Sequence, residues 1–305
     1  MISYDNTHYN KSSTVENYDL CRHIPASVLD KFSTTIIGSA TESSGNTEAS
    51  ILEEGAGNGR ILIPTIRESM LQRRNDQFYA IDKSRPMIKD LERRLSLEEK
   101  ARCRLDLGDI QEKLPYEDSS LDCIYTFAVY HILNEPEKAL DEMVKKLKPT
   151  GCFIFGKEFT QVFHGTEGRI EPEDSEDLRG VRLIPLIKDF FHEYHRCRER
   201  HSVPFTSSKV LYSNPSLILK HLKSLGFHYT AVKGEELSYK KPHTLRQMLE
   251  AFRLKNITTF GSDIPDSIRS EMHAELLGWC KKNNHSLDEN MDVPASITLY
   301  LFSRR

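Results

Sequence analysis

Three glycines at alternate positions, Gly55, Gly57 and Gly59, follow the acidic residue Glu53 at the end of a short apolar run that begins at Ile51. Glycine has no Cβ and tolerates positive φ, so such a turn lets backbone fold sharply and lie directly against a bound molecule. The spacing is acid-x-G-x-G-x-G. In the G-x-G-x-x-G dinucleotide fingerprint the third glycine would fall at residue 60, which is Arg60, and a carboxylate at 53 would repel the pyrophosphate that such a loop binds. A carboxylate at the mouth of the turn suits a ligand group of positive charge, such as an ammonium. The plainer alternative is a glycine-rich loop with no ligand.

This segment resembles the first motif of the class I S-adenosylmethionine-dependent methyltransferases, in particular the small-molecule, type 11-like members. The resemblance is strong over residues 50 to 157. It implies S-adenosyl-L-methionine as cofactor, S-adenosyl-L-homocysteine as product, and a cofactor site at Glu53, Gly55, Gly57 and Gly59. It implies that Asp82, at the end of the second strand, accepts hydrogen bonds from both ribose hydroxyls, a carboxylate being an acceptor-only group matched to a vicinal diol. A dinucleotide fold keeps an acid at the same place, and Asp82 also reads as a helix N-cap before Pro86; Met87, opening that helix, is included in the site. Gly108-Asp109-Ile110 resembles the third motif, with Asp109 accepting from the adenine amino group and Ile110 packing on the ring; an ordinary turn is the alternative. The stretch Leu121 to Leu133 resembles the fourth motif and places Phe127 on the cofactor cleft. Tyr18 and Arg22 form a Y-D-x-x-R pattern similar to the N-terminal helix that covers the cofactor in small-molecule members, a surface aromatic being the alternative. No N-P-P-Y or D-P-P-Y tetrapeptide follows strand four, which counts against methylation of nucleic-acid bases or glutamine.

Methyl transfer from a sulfonium is an in-line displacement, so the protein chiefly aligns nucleophile, carbon and sulfur and excludes water. A general base helps when an oxygen or nitrogen acceptor must lose a proton. His131 is the candidate, since its ordinary pKa suits neutral pH. The expected acceptor is an O, N or carboxylate of a small molecule. The alternatives are an RNA or protein methyltransferase and a non-catalytic binding subunit on the same fold.

Positioning these residues requires alternating strands and helices, the pattern of a mostly parallel sheet. The expectation is an α/β, doubly wound, seven-stranded, Rossmann-like methyltransferase fold with helical insertions. Strands are expected to end at Glu53, Asp82 and Leu107, with further strands at Leu121 to Phe127, Cys152 to Gly156 and Phe227 to Val232. A final antiparallel edge strand is expected at Ala295 to Phe302. Helices are expected at Tyr18 to Thr35, Gly59 to Arg73 and Pro86 to Lys100, with Gly38 to Ser50 as a linker. The division is an N-terminal arm and cover helix (1–49), a cofactor-binding core (50–157), and insertions shaping the acceptor site plus the last core strands (158–305). In the last part an acidic loop spans Glu171 to Asp177, helices are expected at Leu186 to Arg200 and Pro215 to Leu225, and two more flank Thr258-Thr259-Phe260.

The chain has 305 residues and a net charge of -3, with 38% hydrophobic and 29% charged residues. A pI near 6.5 and a mean hydropathy of -0.52 describe a well-solvated globular protein without the basic excess that phosphate binding demands. No apolar run reaches membrane-spanning length, and no secretory leader pattern opens the chain. Six scattered cysteines without a C-x-x-C pair read as reduced core thiols of a cytoplasmic protein. His192, His195, Cys197 and His201 crowd one helix but cannot all share one face at 3.6 residues per turn, so no metal is expected there.

Overall fold

The computed structural model describes Val15, Tyr18 and residues 22–160, 185–203, 215–254 and 264–304. The rest of the polar arm, Cys21, the acidic loop Glu171 to Asp177 and Thr258-Thr259-Phe260 lie outside the described residues. Among the described residues eight strands form one sheet: β1 (Ser50–Glu54), β2 (Gln77–Asp82), β3 (Cys103–Leu107), β4 (Leu121–Phe127), β5 (Leu147–Thr160), β6 (His228–Val232), β7 (Ser238–Lys241) and β8 (Val293–Ser303). Their order is β3-β2-β1-β4-β5-β8-β6, with β7 also pairing β8. The pairs β3-β2, β2-β1, β1-β4 and β4-β5 are parallel, whereas β5, β6 and β7 all run antiparallel to β8.

The sheet therefore has one strand more than the seven expected, because Ser238–Lys241 forms a short strand of its own. The last strand is not an edge. β8 lies between β5 and β6, and its residues Ile297, Leu299 and Phe302 are buried. Strand order reverses between β1 and β4, and a doubly wound sheet opens its ligand crevice at the carboxyl ends of the strands beside such a switch.

Among the described residues, helices α1 (Ala26–Ser44), α2 (Leu62–Leu71), α3 (Arg85–Arg94), α4 (Leu97–Ala101) and α5 (Pro136–Lys146) accompany the parallel half of the sheet. The first helix starts eight residues later than expected and ends nine later. Pro25 fixes its entry, and Ile36, Ile37 and Ala40 bury its second half against the sheet. The Ser/Thr stretch that reads as a linker is wound into it: the hydroxyls of Thr35 and Thr41 donate to carbonyls one turn back at 2.8 and 2.7 Å, and Gly45 closes the helix in the left-handed region. The helix expected at Pro86 to Lys100 is two, because Ser96 and Glu99 form a capping box that starts α4. β5 begins at Leu147, ahead of the expected Cys152, since its register against β4 shifts between Leu121 and Cys123 and takes up the extra residues as a bulge.

Beyond β5 follow α6 (Pro185–Arg200), α7 (Pro215–Ser224), α8 (Leu245–Arg253) and α9 (Asp266–Lys282). α6, α8 and α9 bury a cluster of their own that includes Phe190, Tyr194, Leu249, Phe252 and Met272, reaching the sheet at Val293. Lys241 of β7 pairs with Glu158 of β5 at 3.0 Å, and the Tyr239 hydroxyl donates to the same carboxylate. Among the described residues five cysteines are free; four are buried, and Cys103 is half-buried. Among the described residues no helix is long and apolar enough to cross a membrane.

Candidate cofactor cleft

The cleft is built where β1, β2, β3 and β4 end. Its open space, including solvent at the mouth, is about 720 Å³. Gly55 and Gly57 line its floor, Asp82, Ser84 and Met87 one wall, and Gly108, Asp109 and Ile110 the next. Phe127 and Ala128 close the β4 side, and Tyr18 and Arg22 reach the cleft from the N-terminal segment. Nine of the twelve sequence-predicted site residues thus meet on one surface.

All three glycines of the turn have positive φ, but they serve different contacts. A Cβ on Gly57 would meet only the Tyr18 Oη at 3.9 Å, so this glycine keeps the cleft floor open. A Cβ on Gly59 would lie 2.3 Å from Leu91 Cδ1, so this glycine permits packing against α3 and is not part of the cleft wall.

Asp82 is tied to the turn. Its Oδ2 accepts the Gly57 amide at 2.9 Å and its Oδ1 accepts the Ser84 amide at 2.8 Å. Burial raises its pKa, which those two bonds and the Lys83 charge partly offset. The N-cap of α3 is Ser84, whose side chain accepts from Met87 at 3.3 Å, so Asp82 is left facing the cleft. Asp109 is held by Gln111, whose backbone N–H donates to it at 3.0 Å and whose side-chain amide donates at 3.1 Å. The Gln111 carbonyl oxygen in turn accepts the amides of Asn134 and Glu135 at 2.8 and 2.7 Å, fixing the third loop to the start of α5.

Glu53 lies beneath the cleft rather than on its wall. It is 3% exposed, accepts the Tyr125 hydroxyl at 3.2 Å, and has its pKa pushed well up by burial against the lowering effects of Tyr125 and Arg60. Glu54 points to the other face of β1, accepts the Tyr130 hydroxyl at 2.8 Å, and is raised by burial to about 8. Arg60 lies over the Phe127 ring at 5.2 Å and donates to the Arg22 carbonyl at 2.6 Å, linking the N-terminal segment to the glycine turn. The Arg22 guanidinium stacks on Tyr18 at 4.6 Å.

His131 sits in the 3-10 turn Tyr130–Ile132, half-buried, between cleft residues Val129 and Ile132 but not itself on the cleft wall. Burial, with the Lys157 and Arg22 charges, lowers its pKa to about 3, so the ring is neutral throughout the physiological range. That is a weak base, far from the near-neutral value a general base needs.

Sequence reasoning missed Lys83, Ser84, Ala128 and Gln111. Ala128 has a φ of 57°, an uncommon conformation for a residue with a Cβ, at the point where β4 turns into the cleft. Only Ser84 carried a readable signal, as a Ser two residues before Pro86.

Residues 52–155 match a family model described as Methyltransferase domain. Among solved structures the chain is similar to the YcgJ protein from Bacillus subtilis, with 17% identity over 91% of this chain and 98% of that one and a TM-score of 0.49. It is similar to phosphoethanolamine N-methyltransferase 2 of Haemonchus contortus in complex with S-adenosyl-L-methionine, with 14% identity over 100% of this chain and 60% of that one and a TM-score of 0.48. A third similarity is to a SAM-dependent methyltransferase from Aquifex aeolicus, with 19% identity over 54% of this chain and 80% of that one and a TM-score of 0.39. No curated protein sequence matches the chain. Residues 52–155, from β1 to β5, thus match a methyltransferase domain, and the motifs of that stretch gather on one cleft.

Proposed function

We propose that the chain is an S-adenosyl-L-methionine-dependent methyltransferase acting on an O, N or carboxylate of a small molecule, and that Tyr18, Arg22, Gly55, Gly57, Asp82, Met87, Asp109, Ile110 and Phe127 hold the cofactor. The observation that carries the acceptor class is the cover: Tyr18 and Arg22, from the N-terminal segment, line the same cleft as Asp82 and Asp109, which suits a compact acceptor better than a polymer.

The residues fit the cofactor. Asp82 offers a carboxylate already oriented by two backbone amides, matched to a ribose diol. Ile110, 4% exposed, and Met87, 2% exposed, offer apolar surface to a purine ring. The buried Glu53 carboxylate lies below the turn, where a ligand ammonium would favour its charged form. When bound, the sulfonium supplies an activated methyl group. The chain's part is alignment and exclusion of water, with Phe127 and Val129 as the apolar wall and Tyr18 and Arg22 as the cover. His131, neutral and off the cleft wall, does not serve as a titrating base in this reading.

Calorimetric titration with S-adenosyl-L-homocysteine tests the cofactor assignment. Saturable one-site binding weakened by Asp82→Ala is expected; no heat at hundredfold excess over a dissociation constant of about 1 μM contradicts it.

A further inference from the structure

We propose that Cys197, His201 and Glu275 form a zinc site that clamps α6 to α9, away from the cofactor cleft. One candidate ligand atom from each residue lies within 4.8 Å of the other two. Cys197 and His201 stand four residues apart, joined by the His201 amide donating to the Cys197 carbonyl at 3.1 Å, so their side chains share one face at the end of α6. Glu275 arrives from α9 and supplies the second element that a tetrahedral site needs. His192 and His195, which share the helix with them, are not members of this group.

The geometry is near that of a metal set. Glu275 Oε2 lies 3.3 Å from Cys197 Sγ and 3.0 Å from His201 Nε2. Ligand bonds of ordinary zinc length at tetrahedral angles put such atoms roughly 3.4–3.6 Å apart, so these two distances need to lengthen by only a few tenths of an ångström. Thiolate, imidazole and carboxylate together favour zinc over magnesium or calcium.

The surroundings hold the ligands in place. Arg200 binds the other Glu275 oxygen, Oε1, at 2.5 Å and Glu193 at 2.6 Å, which leaves Oε2 turned toward Cys197 and His201. Glu271, one turn before Glu275, has a carboxylate oxygen 3.6 Å from His201 Nδ1, the nitrogen left over when Nε2 ligates. A carboxylate behind a ligating histidine fixes its tautomer and ring orientation. Cys197 is fully buried while His201 and Glu275 are 21% and 36% exposed, which gives an ion a path in from solvent. Binding displaces the Cys197 thiol proton to solvent and leaves the fourth position to water.

The test uses the full chain, stripped with a chelator and titrated with Co²⁺ and then Zn²⁺. About one equivalent of Co²⁺ is expected, with a thiolate-to-cobalt absorption band that Zn²⁺ abolishes by displacement and that Cys197→Ser lacks. His201→Gln and Glu275→Gln should each weaken Zn²⁺ affinity more than roughly 10-fold, and Glu271→Gln by roughly 10-fold or more, with unchanged circular dichroism. Zinc should also raise the melting temperature of the native chain and not of those variants. Absence of the thiolate band, its persistence in Cys197→Ser, or native affinity in both His201→Gln and Glu275→Gln overturns the proposal. If Cys197→Ser does not fold, the two more exposed ligand variants decide.

Discussion

The backbone amide of Gly57 donates to Oδ2 of Asp82 at 2.9 Å, so the glycine turn after β1 and the end of β2 are one hydrogen-bonded unit. Replacing Asp82 by alanine removes both the proposed ribose acceptor and the brace of the turn. Binding of S-adenosyl-L-homocysteine should weaken by roughly 10- to 100-fold, the range of one or two hydrogen bonds to a charged group. Asp82→Asn, which keeps one acceptor oxygen, should lose less. Calorimetry on both variants measures the order.

Gly57 and Gly59 should respond differently to the same change. Gly59→Ala combines left-handed backbone with a Cβ driven into Leu91 and should cost about 2–4 kcal/mol of folding stability in urea denaturation. Gly57→Ala carries the backbone cost of about 1–2 kcal/mol but has room for the methyl group, which then occupies the cleft floor. Its main effect should appear in cofactor affinity.

Glu54 makes stability pH-dependent. Its folded pKa is raised to about 8 from 4.5 by burial, so the folded chain binds an extra proton between those values. That contribution is fully present below about pH 4.5 and is lost as pH rises through 8, a change on the order of 4–5 kcal/mol for a fully buried group. Glu54→Gln keeps a neutral partner for Tyr130 and should flatten the fall of melting temperature between pH 5 and 8. An unchanged slope contradicts the assignment.

His131→Asn tests whether this residue is a general base. A ring with its pKa near 3 does not titrate between pH 5 and 9, so the variant should keep the shape of the native kcat–pH profile. Its turnover should drop by less than about tenfold, whereas loss of a general base costs roughly 10²–10⁴-fold. A larger loss together with a vanished acid limb restores the base role.

The parallel core was legible because each of its signals is local: an apolar run, a strand-end acid, a glycine turn. The same locality explains the misses. Nothing near Thr34 to Ser44 announces that Ile36, Ile37 and Ala40 face the sheet, and the hydroxyls that satisfy themselves within α1 read equally well as loop. Lys83 and Gln111 reach the site through contacts set by the fold, Gln111 through amides 23 and 24 residues away. Glu53 is legible as an acid of the first strand, but its burial under Tyr125 is a property of β4 packing beside β1.

The most direct measurement of the central claim is incubation of the protein with methyl-deuterated S-adenosyl-L-methionine and a metabolite extract, read by mass spectrometry. Formation of S-adenosyl-L-homocysteine with the labelled methyl group on a low-mass compound, reduced by Asp82→Ala at limiting cofactor, is the predicted result. Label appearing only in RNA or protein, or no transfer from a preparation that binds S-adenosyl-L-homocysteine, would contradict it.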